Sequence, residues 1–301
     1  WENIAGLTGS TFDYVAEGDR DTWRLTGPYT DPNPFARVLI VGFPFAVYEF
    51  IRTGNKLYKI ALLGMIGILL TAVLFTGSRG ALLGVIAMVA VGVWQQRRRL
   101  LRVFLYALPA AALLVFFVPQ EMVDRSAGAL AVFKDRKSER ILEEAEVDDS
   151  TTFRLHEMMI ATDMFRDHPI LGVGYSNYPE LFQKYQQRGH YVARHENRQP
   201  HSLVLQIAAE QGVLGLATFA ALFAVCCYQA FSTASMLRRS HPKEAELANM
   251  VGIAIVGFLT SSLVLHEIYA RSFWILVGLA LALPVCGRAL LARPPRTSNS
   301  G

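Results

Sequence analysis

Thr76-Gly77-Ser78-Arg79-Gly80 joins two apolar runs, Leu57–Phe75 and Ala81–Trp94. Each run is long enough to enter or cross a bilayer, so the link sets a guanidinium at a membrane edge. Arginine at such a depth is costly unless it faces protein, water or an anion. Gly77 and Gly80 flank Arg79 closely, and small neighbours let a backbone or a ligand approach. A planar guanidinium grips phosphate through two parallel hydrogen bonds. The competing reading is an interfacial arginine that snorkels to lipid headgroups.

Outward from this link, the chain of 301 residues is 52% hydrophobic and 18% charged, more apolar than a soluble domain of that size. The apolar residues are blocked into runs, which predicts an all-α polytopic membrane protein. The runs are Phe35–Ile51, Leu57–Phe75, Ala81–Trp94, Leu100–Val118, Leu203–Phe231, Leu247–Leu265 and Ser272–Leu291. They predict about seven transmembrane helices, at roughly 20 residues per span. Ala81–Trp94 is short for a span, and Leu203–Phe231 is long, with Gly212 and Gly215 as candidate bends. The net charge of +4 comes from basic residues beside apolar runs, a topology signal and not a nucleic-acid surface. Cys226, Cys227 and Cys286 all lie within apolar runs and read as small buried hydrophobes.

Basic residues gather on alternate connections, at Arg52–Lys59, Arg97–Arg102, Arg238–Lys243 and Arg288–Arg296. The short connections of the other side hold only Arg79 and Arg271. The positive-inside rule puts the basic side, and with it the C-terminus, in the cytoplasm. The expected organisation is an outward-facing segment 1–33, four spans over 34–118, a loop domain 119–202, three spans over 203–292 and a disordered cytoplasmic tail 293–301. The chain starts at Trp1 and not at Met, so it reads as part of a longer protein.

The large outward loop domain is expected to be mainly helical. Ser150 or Thr151 caps a helix running to Asp167, stopped by His168-Pro169. Asn177 caps a second helix, Pro179–Arg188, which Gly189 ends. Gly172-Val173-Gly174-Tyr175 between them is a turn. It is no dinucleotide fingerprint, because Asn177 stands where the third glycine belongs. The acidic run Glu143–Asp149 reads as a solvated segment or as a lid.

Four further residues are candidates for chemistry. Arg154 is expected in the first turn of its helix, where a cation opposes the helix dipole; it serves either a partner or a salt bridge to Glu157. His201 follows Pro200 where the chain re-enters the membrane. It is either a base near neutral pH or a headgroup-level histidine. Glu210 lies in an apolar stretch and must be paired or face water; Arg79 is the expected partner. Asn33-Pro34 reads as N-cap and first residue of the first span, with a substrate contact as the alternative. Glu267 and Arg271 are spaced to pair across one turn. The histidines show no metal-ligand spacing, and no cofactor is expected.

Together these residues resemble the O-antigen ligase and polymerase superfamily of bacterial membrane proteins. The resemblance rests on Thr76–Gly80 between spans, Arg154, the stretch His168–Asn177, Pro200-His201-Ser202 and Ala209–Leu216, with Asp31–Ala36 at the entry. It covers Gly27–Leu216 well and the remaining spans loosely. It implies further N-terminal spans and a GT-C-like glycosyltransferase of the inner membrane, working at the periplasmic face. Such an enzyme moves a glycan from undecaprenyl diphosphate to a glycan, lipid A–core or protein acceptor, without metal or nucleotide sugar. By motif, Arg79 and Arg154 hold the diphosphate and His201 is the base or positions the acceptor. Glu210 and Asn33 complete the expected substrate-binding set. Ligase and polymerase remain open, with a lean towards polymerase-type transfer. A transporter of a small anion or solute is the alternative from another class, since an intramembrane Arg79 and Glu210 also suit a translocation path. A third reading is a structural membrane subunit, in which the charges are pairs.

Overall fold

The computed structural model describes residues 12–17, 20–29, 31–95, 149–189, 200, 202–263 and 271–292. The chain enters through an antiparallel hairpin, β1 Phe12–Glu17 and β2 Arg20–Leu25, with Phe12 opposite Leu25 and Glu17 opposite Arg20. Among the described residues, everything else with regular structure is helical: α1 Pro32–Arg52, α2 Lys56–Thr76, α3 Arg79–Gln95, α4 Asp149–Asp167, α5 Tyr178–Arg188, α6 Leu203–Leu237, α7 Pro242–Ser262 and α8 Arg271–Leu291. The hairpin departs from a wholly helical chain. Its sequence signal was Gly18-Asp19 between two short runs containing Tyr14, Val15, Thr22 and Trp23, a pattern that favours tight hairpins.

Five of these helices, α1, α2, α6, α7 and α8, are long and apolar enough to cross a membrane. Helix α3 is apolar but shorter, at 17 residues. The expected span Leu100–Val118 lies outside the described residues. Among the described residues there are therefore five candidate spans and the shorter α3, while the sequence predicted about seven over the whole chain. The ends differ in places. Asp31, not Asn33, caps α1: its carboxylate accepts from the Asn33 backbone N–H at 2.8 Å. Helix α7 starts at Pro242, earlier than the apolar run, because proline suits the first helical turn. All three cysteines are free; Cys226 is buried, Cys227 is half-buried and Cys286 is exposed, so the last is not the buried hydrophobe expected.

Helix α7 is the hub, packed against α1, α3, α6 and α8. One core cluster joins Phe223 and Cys226 of α6 to Ile255 and Phe258 of α7 and Phe273 of α8. A second joins Ala36 and Ile40 of α1 to Val73 of α2, Ala81 and Met88 of α3 and Ile253 of α7. Tyr48 Oη donates to the Lys243 carbonyl at 3.0 Å, tying together the basic ends of α1 and α7. Gly84 explains how α3 comes so close to α7. A Cβ there would lie 2.7 Å from the Gly257 carbonyl oxygen and 2.8 Å from Ile40 Cδ1. In lipid, where helices gain little from the hydrophobic effect, such backbone approach is a main source of association. Gly84→Leu is expected to force α3 away from α7 and to lower the thermal midpoint in detergent. Gly64→Ala, where a Cβ meets nothing within 4 Å, leaves it nearly unchanged.

Candidate functional site

The link between α2 and α3 is built residue by residue. Thr76 ends α2 and is fully buried; its hydroxyl donates to the Val73 carbonyl at 2.6 Å and accepts from the Ser78 backbone N–H at 3.2 Å. Gly77 closes α2 in the left-handed region (φ 62°), its N–H bonded to Leu74 O at 2.9 Å. Glycine is the residue that takes this conformation without a Cβ penalty. Ser78, also buried, accepts from the Ala81 backbone N–H at 3.4 Å and so caps α3. Arg79 is then the first residue of α3, exposed between the buried Ser78 and Gly80. The glycines and hydroxyls of this motif make the reversal, and the reversal carries the arginine at the end of the bundle away from the basic connections. A helix N-terminus and a guanidinium both attract anions.

The same end of the bundle is polar. Asn33 and Arg37 stand one turn apart on α1, at 8% and 1% exposure. The Arg37 guanidinium carbon lies 5.2 Å from the Phe258 ring centroid, a cation–π contact. Ser261 and Ser262 of α7 are buried there, both hydroxyls donating to the Phe258 carbonyl. Arg37 was missed in the sequence because it sits inside the apolar run Phe35–Ile51. The signal was present: an arginine within a span is a functional candidate by default.

Glu210 goes elsewhere. It is 1% exposed, and its carboxylate does not reach Arg79. The backbone amides of Ser176 and Tyr178 and the Gln206 side chain lie around it, although neither oxygen has a partner at strict hydrogen-bond geometry. Those amides open α5, whose N-cap residue Asn177 makes no side-chain capping bond and instead donates to Val173 O at 3.0 Å. Glu210 therefore presents its carboxyl group, carried by α6, to the start of α5. Tyr178 is fully buried beside it. Burial first, and then the charges of Glu157 and Glu210, push its phenol well above its ordinary range, so it stays neutral and donates to the Glu157 carbonyl at 2.8 Å.

Glu210 sits beside a break in α6. Gly212 has φ 65° and ψ −161°, which no helix contains. The break strips four backbone groups of their ordinary helical partners, and the loop after α4 replaces each one. Val213 N–H donates to Pro169 O at 2.8 Å and Leu214 N–H to Ile170 O at 3.4 Å. Ala209 O accepts from Val173 N–H at 2.8 Å and Glu210 O from Gly174 N–H at 2.9 Å. Buried backbone groups must be satisfied, and this exchange satisfies them. It also fixes α4 and α5 to α6 around a small core of Ile160, Met164, Tyr178, Phe182 and Ala209. Of the two candidate bends, the chain uses Gly212 and not Gly215.

Helix α4 begins at Asp149, so Arg154 lies beyond its first turn and does not meet the N-terminal dipole as the sequence suggested. His201 and Glu267 lie outside the described residues, and so does any pair of Glu267 with Arg271. The ends of α4 and α5 are clasped by Asp167, which accepts from the Arg188 guanidinium and from Tyr185 Oη, the latter at 3.0 Å. These donors, Arg188 first, hold the Asp167 carboxyl below its usual range. A lowered folded value means that the clasp stabilises above the ordinary carboxylate range and is lost as pH falls through the lowered one. Resistance of the α4–α5 loop to protease is expected to be flat at neutral pH and to fall below about pH 4. Asp167→Asn removes that component of the pH dependence, with a small effect because the group is exposed.

No curated protein matches the chain. The family model described as O-antigen ligase matches residues 60–220. That stretch starts in α2 and contains the Thr76–Gly80 reversal, α4 with its loop, and the Gly212 break that the loop completes. It is more than half of the chain, and the chain belongs to the O-antigen ligase family of multi-pass membrane glycosyltransferases.

Proposed function

We propose that this protein transfers a glycan from undecaprenyl diphosphate to a hydroxyl acceptor at the periplasmic face of the bacterial inner membrane, without a metal ion. The acceptor is another lipid-linked glycan, a lipid A–core or a protein. The observation that carries this reading is Arg79, exposed at the first position of α3 on a reversal whose other members are turned inward or bent to make it.

The acceptor oxygen attacks the anomeric carbon while the bond from that carbon to the diphosphate oxygen breaks. The electron pair leaves with the diphosphate, which gains negative charge. Arg79 and Arg154 stabilise that charge; a fixed donor does so most strongly where water is scarce. His201 takes the acceptor proton. Asn33 supports the donor's binding on the same end of the bundle. Glu210 acts on the substrate site through the loop that it holds against α6.

The test is transfer in lipid nanodiscs, with the full-length protein and an undecaprenyl-diphosphate glycan of defined length. Longer or relocated glycan is expected, and its formation is expected to fall sharply with His201→Ala. Transport of a small anion without glycan transfer would replace this reading with that of a carrier, to which the buried Arg37 would also be suited.

A further inference from the structure

The loop that completes the α6 break exposes Ile170 and Leu171, at 62% and 71%, although they are the most apolar residues of their turn. Val213 and Leu214 of α6 are exposed beside them. The Val213 N–H bond to Pro169 O and the Leu214 N–H bond to Ile170 O hold the four side chains at one depth. That depth follows from α6 itself. Val213–Leu237 rises about 37 Å at ~1.5 Å per residue, and Arg238-Arg239 mark its charged end. The hydrocarbon core is about 30 Å thick, and the bilayer with its headgroup layers about 40–45 Å. With Leu237 at one edge, Val213 falls in the headgroup layer of the opposite leaflet, and Ile170 and Leu171 fall there with it.

We propose that Ile170 and Leu171, with Val213 and Leu214, form a lipid-contacting tip by which the α4–α5 domain rests in the leaflet away from the basic connections. The patch is continuous with the exposed apolar surface of α6, where Val225 and Tyr228 also face outward from the bundle. Its surroundings suit that depth. Tyr175 is exposed on the same loop, and Arg166 and His168 flank the tip from the end of α4. Aromatic and basic residues favour the headgroup layer. The tip sets the height of the domain above the membrane by a direct contact with lipid, in addition to the backbone bonds to α6. The inference needs only a membrane-spanning α6 and does not rest on the reaction proposed above.

The experiment uses single-cysteine proteins in which Cys226, Cys227 and Cys286 are alanine, each labelled with a polarity-sensitive fluorophore and placed in phosphatidylcholine–phosphatidylglycerol nanodiscs. The sites are Leu171→Cys, Ile170→Cys as an independent second position, and Lys184→Cys on the exposed face of α5 as the water-facing control. Labels at 170 and 171 are expected to emit to the blue of the control. Nitroxide lipids labelled at the headgroup are expected to quench them several-fold more strongly. Emission and iodide quenching equal to those at 184 would overturn the proposal. Shielding from iodide without quenching by the labelled lipids would also overturn it, because a protein surface would then cover the tip.

Discussion

Arg79→Ala is expected to lower the rate of glycan transfer on the order of 10²–10³-fold, the usual consequence of removing one fixed donor from a developing negative charge. The fold is expected to survive, because the reversal is held by Thr76, Gly77 and Ser78 and the arginine side chain is exposed. The loss should fall mainly on kcat, since the charge on the diphosphate grows as the sugar bond breaks. Arg79→Lys recovers part of it: the charge remains, but the two-pronged geometry for phosphate does not. A second readout separates binding of the leaving group from the reaction as a whole. Inhibition by added undecaprenyl diphosphate should weaken in Arg79→Ala relative to the unaltered protein. Full-rate transfer by Arg79→Ala would remove Arg79 from the site.

The helices and the reversal were legible because each rests on local chemistry. Apolar runs and the short Thr76–Gly80 link are readable within a few residues, whereas the Asn55 cap, the left-handed Gly77 and the Ser78 cap are seen only in the structure. The bend at Gly212 was visible as a glycine in a long apolar run, but its purpose was not. The partners of the freed backbone groups lie some forty positions earlier, at Pro169–Gly174, and backbone hydrogen bonds leave no side-chain signature. For the same reason Glu210 was assigned to Arg79. A carboxylate inside an apolar stretch signals that it needs a counterpart, and the nearest candidate by type was a guanidinium. The structure instead sets it near the opening amides of α5, with neither oxygen in a hydrogen bond of strict geometry. Arg37 was hidden by averaging over its run, and Asn33 was read as a cap when Asp31, two residues earlier, performs that task. Local rules thus placed the elements, while the contacts that join the loop to the membrane bundle depended on distant backbone atoms.

Gly212→Ala is expected to cause the largest loss of stability of any single methyl addition in the described chain. Its backbone angles, φ 65° and ψ −161°, belong to a region populated essentially by glycine, and strain there costs roughly 1–3 kcal/mol before any contact is counted. The contacts are worse. A Cβ at 212 would lie 2.3 Å from Ile170 O, 2.4 Å from Ile170 C and 2.7 Å from Leu171 N. All three are backbone atoms, so no rotamer change relieves the clash. Gly172 presents the mirror problem, with φ +69° and a would-be Cβ 2.3 Å from Glu210 C and 2.4 Å from Gln211 N. Each glycine makes room for the other's chain, and only then can the four hydrogen bonds between loop and helix form. Gly212→Ala should therefore lower the thermal midpoint steeply and expose the 168–177 loop to protease, as should Gly172→Ala. The double variant should be little worse than either single one, since both undo one junction and coupled sites are not additive. Gly42→Ala is the control, because a Cβ there meets nothing within 4 Å and alanine favours a helix over glycine. A Gly212→Ala protein that melts within about 2 °C of the parent, with the loop still protected, would show that the helix break does not depend on glycine and that the loop is held by side chains alone.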